Sequence, residues 1–205
     1  MTLSHLEVLV EEPSMEAALR ALLPKIIGQT SFQIYPHSGK QALLRRLPQR
    51  LKTYRRILQP GWLILIVVDR DNEVCRDLKT QLEQIAAVAG LSTRTSNPAG
   101  PFALVNRIAV EELEAWYFGD WEAVRAAYPR VSRTIHAREG YRDPDAIVGG
   151  TWEAFERIMR ASGYFAGGLP KIEAALRIAP HMDPTRNNSG SFKALRDALL
   201  SVCLA

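Results

Sequence analysis

The sequence predicts an α/β fold in which a mostly parallel β-sheet is covered by helices on both faces. Over the first half of the chain, four short apolar segments typical of buried strands alternate with three amphipathic helical patterns. Strands that alternate with helices are joined by crossover connections, which place the strands parallel in one sheet. After Glu111 only helical patterns follow. They predict a C-terminal helical extension.

The individual elements follow from apolar spacing and from the turn residues between them. The segment His5-Leu6-Glu7-Val8-Leu9-Val10 predicts the first strand, and Pro13 and Ser14 after it are typical of a helix start. The apolar run from Trp62 to Val68 predicts a buried strand. We expect strands at residues 4–10, 31–36, 62–69 and 102–110, and helices at 14–27, 41–58, 73–89, 112–127, 151–161, 169–177 and 191–203.

Length and composition favour one structural domain. A chain of 205 residues with 47% hydrophobic residues can bury one substantial core. We expect residues 1–128 to form the α/β core and residues 129–205 to form a helical extension packed on it. Residues 129–150 contain several prolines and glycines and have the least predicted structure. The polar loop 180–189 is expected to join two helices.

The sequence predicts a cytoplasmic protein with no membrane partner. No segment approaches the roughly 18 uninterrupted apolar residues of a membrane span. The amino terminus lacks a basic region followed by an apolar secretory core. Cys75 and Cys203 lie far apart without metal-ligand spacing, which fits a reducing compartment.

Two carboxylates form a D-x-D motif directly after the apolar run from Trp62 to Val68. Asp69 and Asp71 are two residues apart, and alternate residues of an extended chain point to the same side. Open α/β sheets bind ligands at the carboxyl ends of their strands, and paired carboxylates suit Mg²⁺ or Mn²⁺. We therefore predict that Asp69 and Asp71 face a metal site. The alternative is a solvated turn, because Asp is a common turn residue.

Further acidic residues are expected at the same edge of the sheet. Glu11 stands where the first strand leads into the first helix, and we predict a functional role for it. Glu112 and Glu114 follow the fourth strand, near the start of a helix. Acidic residues at a helix start are also common without function, because they interact favourably with the helix dipole.

A candidate anion-binding turn precedes the second helix. The segment Pro36-His37-Ser38-Gly39-Lys40 has a glycine beside a lysine at a turn from strand to helix. Such a turn suits an anionic group, because free backbone N–H groups and the lysine ammonium point the same way. The Walker A pattern is missing, so the sequence predicts no ATP hydrolysis by this chain. We predict that Lys40 stabilises charge developing on a phosphate; the alternative is a structural lysine. His37 is expected to be structural.

The whole chain has a formal net charge of +4, and basic residues are concentrated on its second predicted helix. Its apolar residues gather on one side, and most of the cations spread over the other. Such a face neutralises phosphates and makes nucleic-acid binding salt-dependent; the alternative is an ordinary solvated face. Pro48 is expected to kink this helix or to start a second one. The predicted nucleic-acid-binding residues are Arg45, Arg46, Arg50, Lys52, Arg55 and Arg56.

Four segments carry a family resemblance. They are Val10-Glu11-Glu12-Pro13-Ser14-Met15-Glu16, Pro36-His37-Ser38-Gly39-Lys40-Gln41, Glu112-Leu113-Glu114-Ala115-Trp116-Tyr117-Phe118-Gly119-Asp120 and Ile178-Ala179-Pro180-His181-Met182. Together they resemble the bacterial family called domain of unknown function 4276, over nearly the whole chain. That family is related to the Toprim domains of topoisomerases, primases and OLD-type nucleases. The chain departs from the usual first Toprim motif, because Glu12 stands where that motif has a glycine.

The resemblance implies a Toprim-like Rossmannoid fold and the activity of a Toprim-type nuclease, a metal-dependent phosphodiester hydrolase. By carry-over, Glu11 is the general acid/base or a metal carboxylate, and Asp69 and Asp71 are ligands of Mg²⁺ or Mn²⁺. Glu112 and Glu114 are implied as ligands of a second metal. The expected partners are nucleic acid, DNA rather than RNA, and a separately encoded ATPase. The expected setting is anti-phage defence or DNA processing.

Two other functions remain as alternatives. In the first alternative, the chain is a catalytically silent subunit that acts with an ATPase. Related Toprim nucleases are often fused to or encoded with an ATPase. A phosphatase of the haloacid dehalogenase type also uses a D-x-D motif. That class carries the motif on its first strand, whereas here it follows the third predicted strand.

Overall fold

Four parallel strands form the sheet at the centre of the computed structural model, which describes residues 3–71 and 73–203. The strands are β1 (His5–Val10), β2 (Ser31–Pro36), β3 (Trp62–Asp69) and β4 (Leu104–Ala109). Their order across the sheet is β2-β1-β3-β4, and every neighbouring pair is parallel. The predicted α/β class with a parallel sheet is confirmed.

Eight α-helices surround this sheet in the described part of the chain. They are α1 (Pro13–Ile27), α2 (Lys40–Ile57), α3 (Cys75–Val88), α4 (Leu113–Gly119), α5 (Trp121–Ala127), α6 (Thr151–Ala161), α7 (Lys171–Ile178) and α8 (Gly190–Cys203). The predicted C-terminal helix is therefore present. Residues 1–2, 72 and 204–205, which belong to the predicted core and extension, lie outside the described residues.

The strand β3 is buried on both faces, which explains its continuous apolar run. Leu63, Leu65 and Val67 join an apolar cluster with α1 and the C-terminal helices. Ile64 and Ile66 join a second cluster with α2 and α3 on the other face. Alternate residues of a strand point to opposite faces, so a strand covered on both sides needs apolar residues throughout.

The C-terminal helices contact the first helix of the chain. Both α7 and α8 pack on α1, and their apolar residues belong to the same cluster as those of β1 and β3. Lys25, in the last turn of α1, donates hydrogen bonds to the carbonyl oxygens of Pro180 and Met182, each at 2.7 Å. These contacts fix the segment that follows α7 against the end of α1.

The helix predicted at 112–127 is two helices, because the chain breaks at Asp120. The backbone of Asp120 leaves helical geometry, and its buried carboxylate accepts hydrogen bonds from Arg186 and from the Asp183 N–H. This is a tertiary contact, so local periodicity does not reveal it.

Other sequence predictions differ in detail. Pro48 does not start a second helix, since α2 runs through it without interruption. Residues 129–150 contain three short 3₁₀ turns, at Ile135–Ala137, Glu139–Tyr141 and Pro144–Ala146. Loop 180–189 connects the end of α7, through a 3₁₀ turn, to α8, as expected. None of the helices in ranges 3–71 and 73–203 is long and apolar enough to cross a membrane.

Candidate functional site

Carboxylates from three adjacent strands meet at the carboxyl edge of the sheet. Strand β3 lies between β1 and β4, with Val67 beside Val10 and Asp69 beside Ala109. The residues that follow these three strands are therefore brought together. We call the group Glu11, Glu12, Asp69, Glu112 and Glu114 the acidic cluster.

Asp69 is the most constrained member of the acidic cluster. Its side chain is buried, and its Oδ1 atom has no hydrogen-bond partner among the described residues. Burial raises the pKa of Asp69 well above its usual value, and the nearby charges of Glu11 and Glu114 raise it further. A buried carboxylate oxygen without a donor is costly, so the site is suited to a cation or a proton.

Glu11 lies directly against Asp69. Its Oε2 atom accepts a hydrogen bond from the Asp69 backbone N–H at 3.3 Å. Burial and the charge of Asp71 raise the pKa of Glu11, against the lowering effects of that hydrogen bond and of Lys40. Glu11 therefore interacts with the backbone of Asp69 and with the charge of Asp71.

Glu114 approaches the same region from the first turn of α4. It is almost completely buried, and this burial raises its pKa to about 7, although Lys171 opposes the shift. The hydroxyl of Tyr117, one turn further along α4, is also buried and has no hydrogen-bond partner in the described part of the chain. The start of α4 thus adds a titratable carboxyl group and an unpaired hydroxyl.

Glu112 makes a structural contact at the start of α6. Its Oε2 atom accepts hydrogen bonds from the Trp152 N–H at 3.0 Å and from the Thr151 hydroxyl at 3.2 Å. A carboxylate at this position satisfies a free N–H group and interacts favourably with the helix dipole. One oxygen of this predicted second-metal ligand is therefore occupied by α6.

Asp71 pairs with Lys40. The Lys40 Nζ atom lies 2.7 Å from Asp71 Oδ2 and 2.8 Å from Glu73 Oε1, and donates a hydrogen bond to the Arg70 carbonyl oxygen at 3.2 Å. Burial works to lower the pKa of Lys40, but the contacts with Asp71 and Glu73 outweigh it and the pKa is raised. The two aspartates predicted to share a metal thus have different surroundings.

The backbone after β3 and β4 adopts an uncommon conformation. Asp71 has φ 50° and Glu111 has φ 59°, in the left-handed region that favours glycine. The two turns are joined by a hydrogen bond from the Asp71 N–H to the Glu111 carbonyl oxygen at 3.0 Å, and by an ion pair between Arg70 and Glu111. Backbone strain of this kind is concentrated at functional sites, so its position supports a functional role for this edge.

The turn before α2 is held by the end of β1. The Gly39 N–H donates to the Glu11 carbonyl oxygen at 3.0 Å, and Gly39 has φ 93°. The His37 ring Nδ1 lies 2.9 Å from the Val10 carbonyl oxygen, and the His37 side chain is buried. His37 is therefore held against the end of β1, and the turn brings the charge of Lys40 close to Glu11.

Glu12, the residue that replaces the usual glycine, causes no backbone strain. Its φ and ψ are −145° and 163°, an extended conformation that any residue adopts. Its carboxylate accepts a hydrogen bond from the Ser14 hydroxyl at 2.5 Å and lies 3.8 Å from the Lys171 Nζ atom. Lys171 was not predicted as a site residue, because its sequence surroundings are those of an ordinary helix start.

The acidic cluster fits a magnesium ion in its donor chemistry. In ranges 3–71 and 73–203, no three Asp, Glu, His or Cys side chains are grouped closely enough to hold a metal ion as they stand. Magnesium, however, is usually held by one or two carboxylates and several water molecules. Glu11 and Asp69 are two neighbouring carboxylates, and the free Asp69 Oδ1 atom is an available ligand.

The predicted nucleic-acid-binding residues lie on α2, which begins at the site with Lys40. The apolar side of α2 is buried against the sheet, and five of the six predicted cations are exposed, namely Arg45, Arg46, Lys52, Arg55 and Arg56. Arg50 differs from them, because its guanidinium carbon lies 3.9 Å from the centre of the Tyr35 ring. The exposed cations therefore form a basic face that leads away from the acidic cluster.

Comparisons with known proteins identify a family for this chain but no individual relative. No curated protein and no solved structure matches the chain. The model of one protein family, described as a domain of unknown function (DUF4276), matches residues 10–200. Because this match covers nearly all of the chain, the protein belongs to the DUF4276 family.

Proposed function

We propose that the protein is a phosphodiester hydrolase that depends on Mg²⁺ or Mn²⁺ and cleaves nucleic acid. The observation that carries the proposal is the buried Asp69 carboxylate, with an unpartnered oxygen, beside Glu11 at the carboxyl edge of a parallel sheet. Ligands of open α/β sheets bind at this edge. Buried charges that raise each other's pKa values are typical of catalytic sites.

The chemistry assigns separate tasks to the site residues. A divalent cation, when bound, polarises a phosphoryl oxygen and stabilises the leaving oxygen. Glu11 and Asp69 would hold that cation, and Glu11 would also accept a proton from an attacking water. Glu114, with a pKa of about 7, is able to hold or release a proton near neutral pH.

Lys40 has a narrower task than its charge alone implies. Its three N–H donors are directed at Asp71, Glu73 and the Arg70 carbonyl oxygen, so it holds the turn after β3. A phosphate oxygen would have to replace one of the two carboxylates to reach the ammonium. Lys40 therefore contributes to catalysis only after this exchange.

The likeness to Toprim domains supports the proposal at the level of analogy. The sequence resembles those domains in having an acidic residue after the first strand and a D-x-D motif at the end of the third strand. By the same likeness to OLD-type nucleases, we propose DNA as the polymer and anti-phage defence or DNA processing as the setting. Shared fold alone does not determine function, so the site residues carry the argument.

The basic face of α2 makes a prediction about binding. Reversing two exposed charges, Arg45→Glu with Lys52→Glu, removes phosphate contacts and should weaken DNA binding at low salt. It should also reduce the slope of log K against log salt by about 2, or more because glutamates repel phosphate. Fluorescence anisotropy with labelled DNA at several salt concentrations measures this slope. The double variant Arg133→Glu with Arg138→Glu, in exposed positions outside α2, is the control. An unchanged slope in the α2 variant would instead favour an ordinary solvated face.

Cleavage assays test the proposal itself. Purified protein with Mg²⁺ or Mn²⁺ should cleave plasmid DNA or single-stranded RNA. Asp71→Asn should lower the cleavage rate at least about a hundredfold, because it changes both the contact with Lys40 and the electrostatic field at Glu11. The polymer that is cut identifies the substrate. Asp197→Asn, an exposed acid on α8, should keep full activity.

A second candidate function is that of a catalytically silent subunit acting with an ATPase. The pairing of Asp71 with Lys40, and the lack of a ready three-ligand group in the described residues, favour it over a preformed metal enzyme. In that case neither polymer is cleaved by the isolated chain or by Asp71→Asn. Repeating the assay with a candidate ATPase would then separate partner-dependent catalysis from a silent subunit.

A further inference from the structure

Lys171 brings a positive charge from the C-terminal helices to the acidic cluster. It is the first residue of α7, and its side chain is about two-thirds buried, with 32% exposed. Its Nζ atom lies 3.8 Å from Glu12 Oε1 and 5.8 Å from the centre of the Trp152 ring. Lys171 therefore stands where α1 and α6 approach the edge of the sheet.

The acidic cluster needs such a charge, because it contains a buried carboxylate oxygen without a donor. The Asp69 Oδ1 atom is buried and has no hydrogen-bond partner among the described residues. Lys171 opposes the raised pKa values of Asp69, Glu112 and Glu114. In return, these carboxylates and Glu12 outweigh the effect of burial and raise the pKa of Lys171. The ammonium and the carboxylates stabilise one another's charged forms.

A surface cleft reaches Lys171 from solvent. The cleft has a volume of about 420 Å³ and is lined by Glu12, Ser14 and residues 169–173 among others. Glu12 and Lys171 belong both to the wall of this cleft and to the group of charges around Asp69. A small cation in the cleft would therefore lie close to the charges of Glu12 and Lys171.

We propose that Lys171 is the internal counter-cation of the acidic cluster, and that a divalent cation entering through the cleft takes over this role. The inference rests on the proposed function, because it concerns the same cation site. It assigns Lys171 to control of cation affinity. An ammonium close to a metal site repels the incoming ion, so the affinity for metal reflects competition between two cations.

The metal-free protein tests the counter-cation role directly. In the presence of a chelator, Lys171→Met should lower the urea midpoint, because the buried carboxylates lose their compensating charge. In a Glu114→Gln background, Lys171→Met should lower the urea midpoint by no more than about half as much as it does in the unsubstituted protein. Lys193→Met, an exposed lysine on α8, should leave the midpoint unchanged. Equal losses in both backgrounds would overturn the proposal.

Manganese binding tests the exchange of cations. By electron paramagnetic resonance titration, Lys171→Met should bind Mn²⁺ about tenfold more tightly than the unsubstituted protein, because the competing ammonium is gone. Lys171→Arg, which keeps the charge, should stay close to the unsubstituted protein. Equal affinity in the Met variant would refute the competition. If no variant binds Mn²⁺, the proposed hydrolase function fails, whereas the metal-free cycle still decides whether Lys171 compensates the cluster.

Discussion

The substitution Asp69→Asn should stabilise the metal-free protein by about 2 kcal/mol and slow cation-dependent cleavage about a hundredfold or more. The stability gain follows from the cost of a buried, unpartnered carboxylate oxygen near Glu11 and Glu114. An asparagine keeps the shape and removes the charge, and its amide N–H groups are able to donate to those neighbouring carboxylates. Stability and the proposed function are thus expected to be opposed at this position, as is usual for catalytic groups.

Urea unfolding with a chelator at pH 7.5 measures the first effect, and the cleavage rate with Mg²⁺ measures the second. Asp197→Asn is the matched control, since Asp197 is exposed and pairs with its neighbour Arg196. It should change the free energy of unfolding by no more than about 0.5 kcal/mol. A clear loss of stability in Asp69→Asn would show that the carboxylate makes a stabilising contact, which contradicts our description of the site.

The pH dependence of stability should carry the signature of Glu114. Its pKa rises from 4.5 to about 7 in the folded protein because the group is buried. The folded state therefore holds this proton over a range in which the unfolded state has released it. The free energy of unfolding should fall as pH rises from about 4.5 to about 7, by about 3 kcal/mol from Glu114 alone.

Urea unfolding of the metal-free protein between pH 4 and pH 8 measures this fall. Asp69, Glu11 and Glu112 also have raised pKa values and add to it in the same direction. In Glu114→Gln, the fall in the free energy of unfolding should be smaller by the contribution of Glu114. At pH 8 this variant should be more stable than the unsubstituted protein. Glu139→Gln, at an exposed position, should follow the unsubstituted protein. A pH profile that Glu114→Gln leaves unchanged would mean that Glu114 titrates normally.

The sheet could be predicted from the sequence because its signals are local. The run from Trp62 to Val68 is apolar throughout, as required of a strand covered on both faces, and β3 is indeed the strand between the two apolar clusters. The acidic residues at strand ends could be predicted to meet for the same reason, since parallel strands end at one edge. Strand boundaries needed correction by no more than two residues.

Long-range contacts account for what the sequence did not reveal. Asp120 breaks the helix predicted at 112–127 as the N-cap of α5, and Arg186, far away in the chain, also binds its carboxylate. Glu112 holds the start of α6 through Trp152, and Lys171 reaches Glu12 from α7. None of these pairs has a local signal, and the same holds for the separation of Asp69 from Asp71, which depends on Lys40.

Equilibrium binding of Mn²⁺ to the unsubstituted protein and to Asp69→Asn is the most direct test of the cation site. Electron paramagnetic resonance distinguishes free from bound Mn²⁺, so the titration needs no substrate. We expect saturable binding by the unsubstituted protein and by Asp197→Asn, and its loss in Asp69→Asn. No binding by any of the three proteins, or equal binding by all three, would contradict the assignment of Asp69 and Glu11 as the residues that hold a divalent cation.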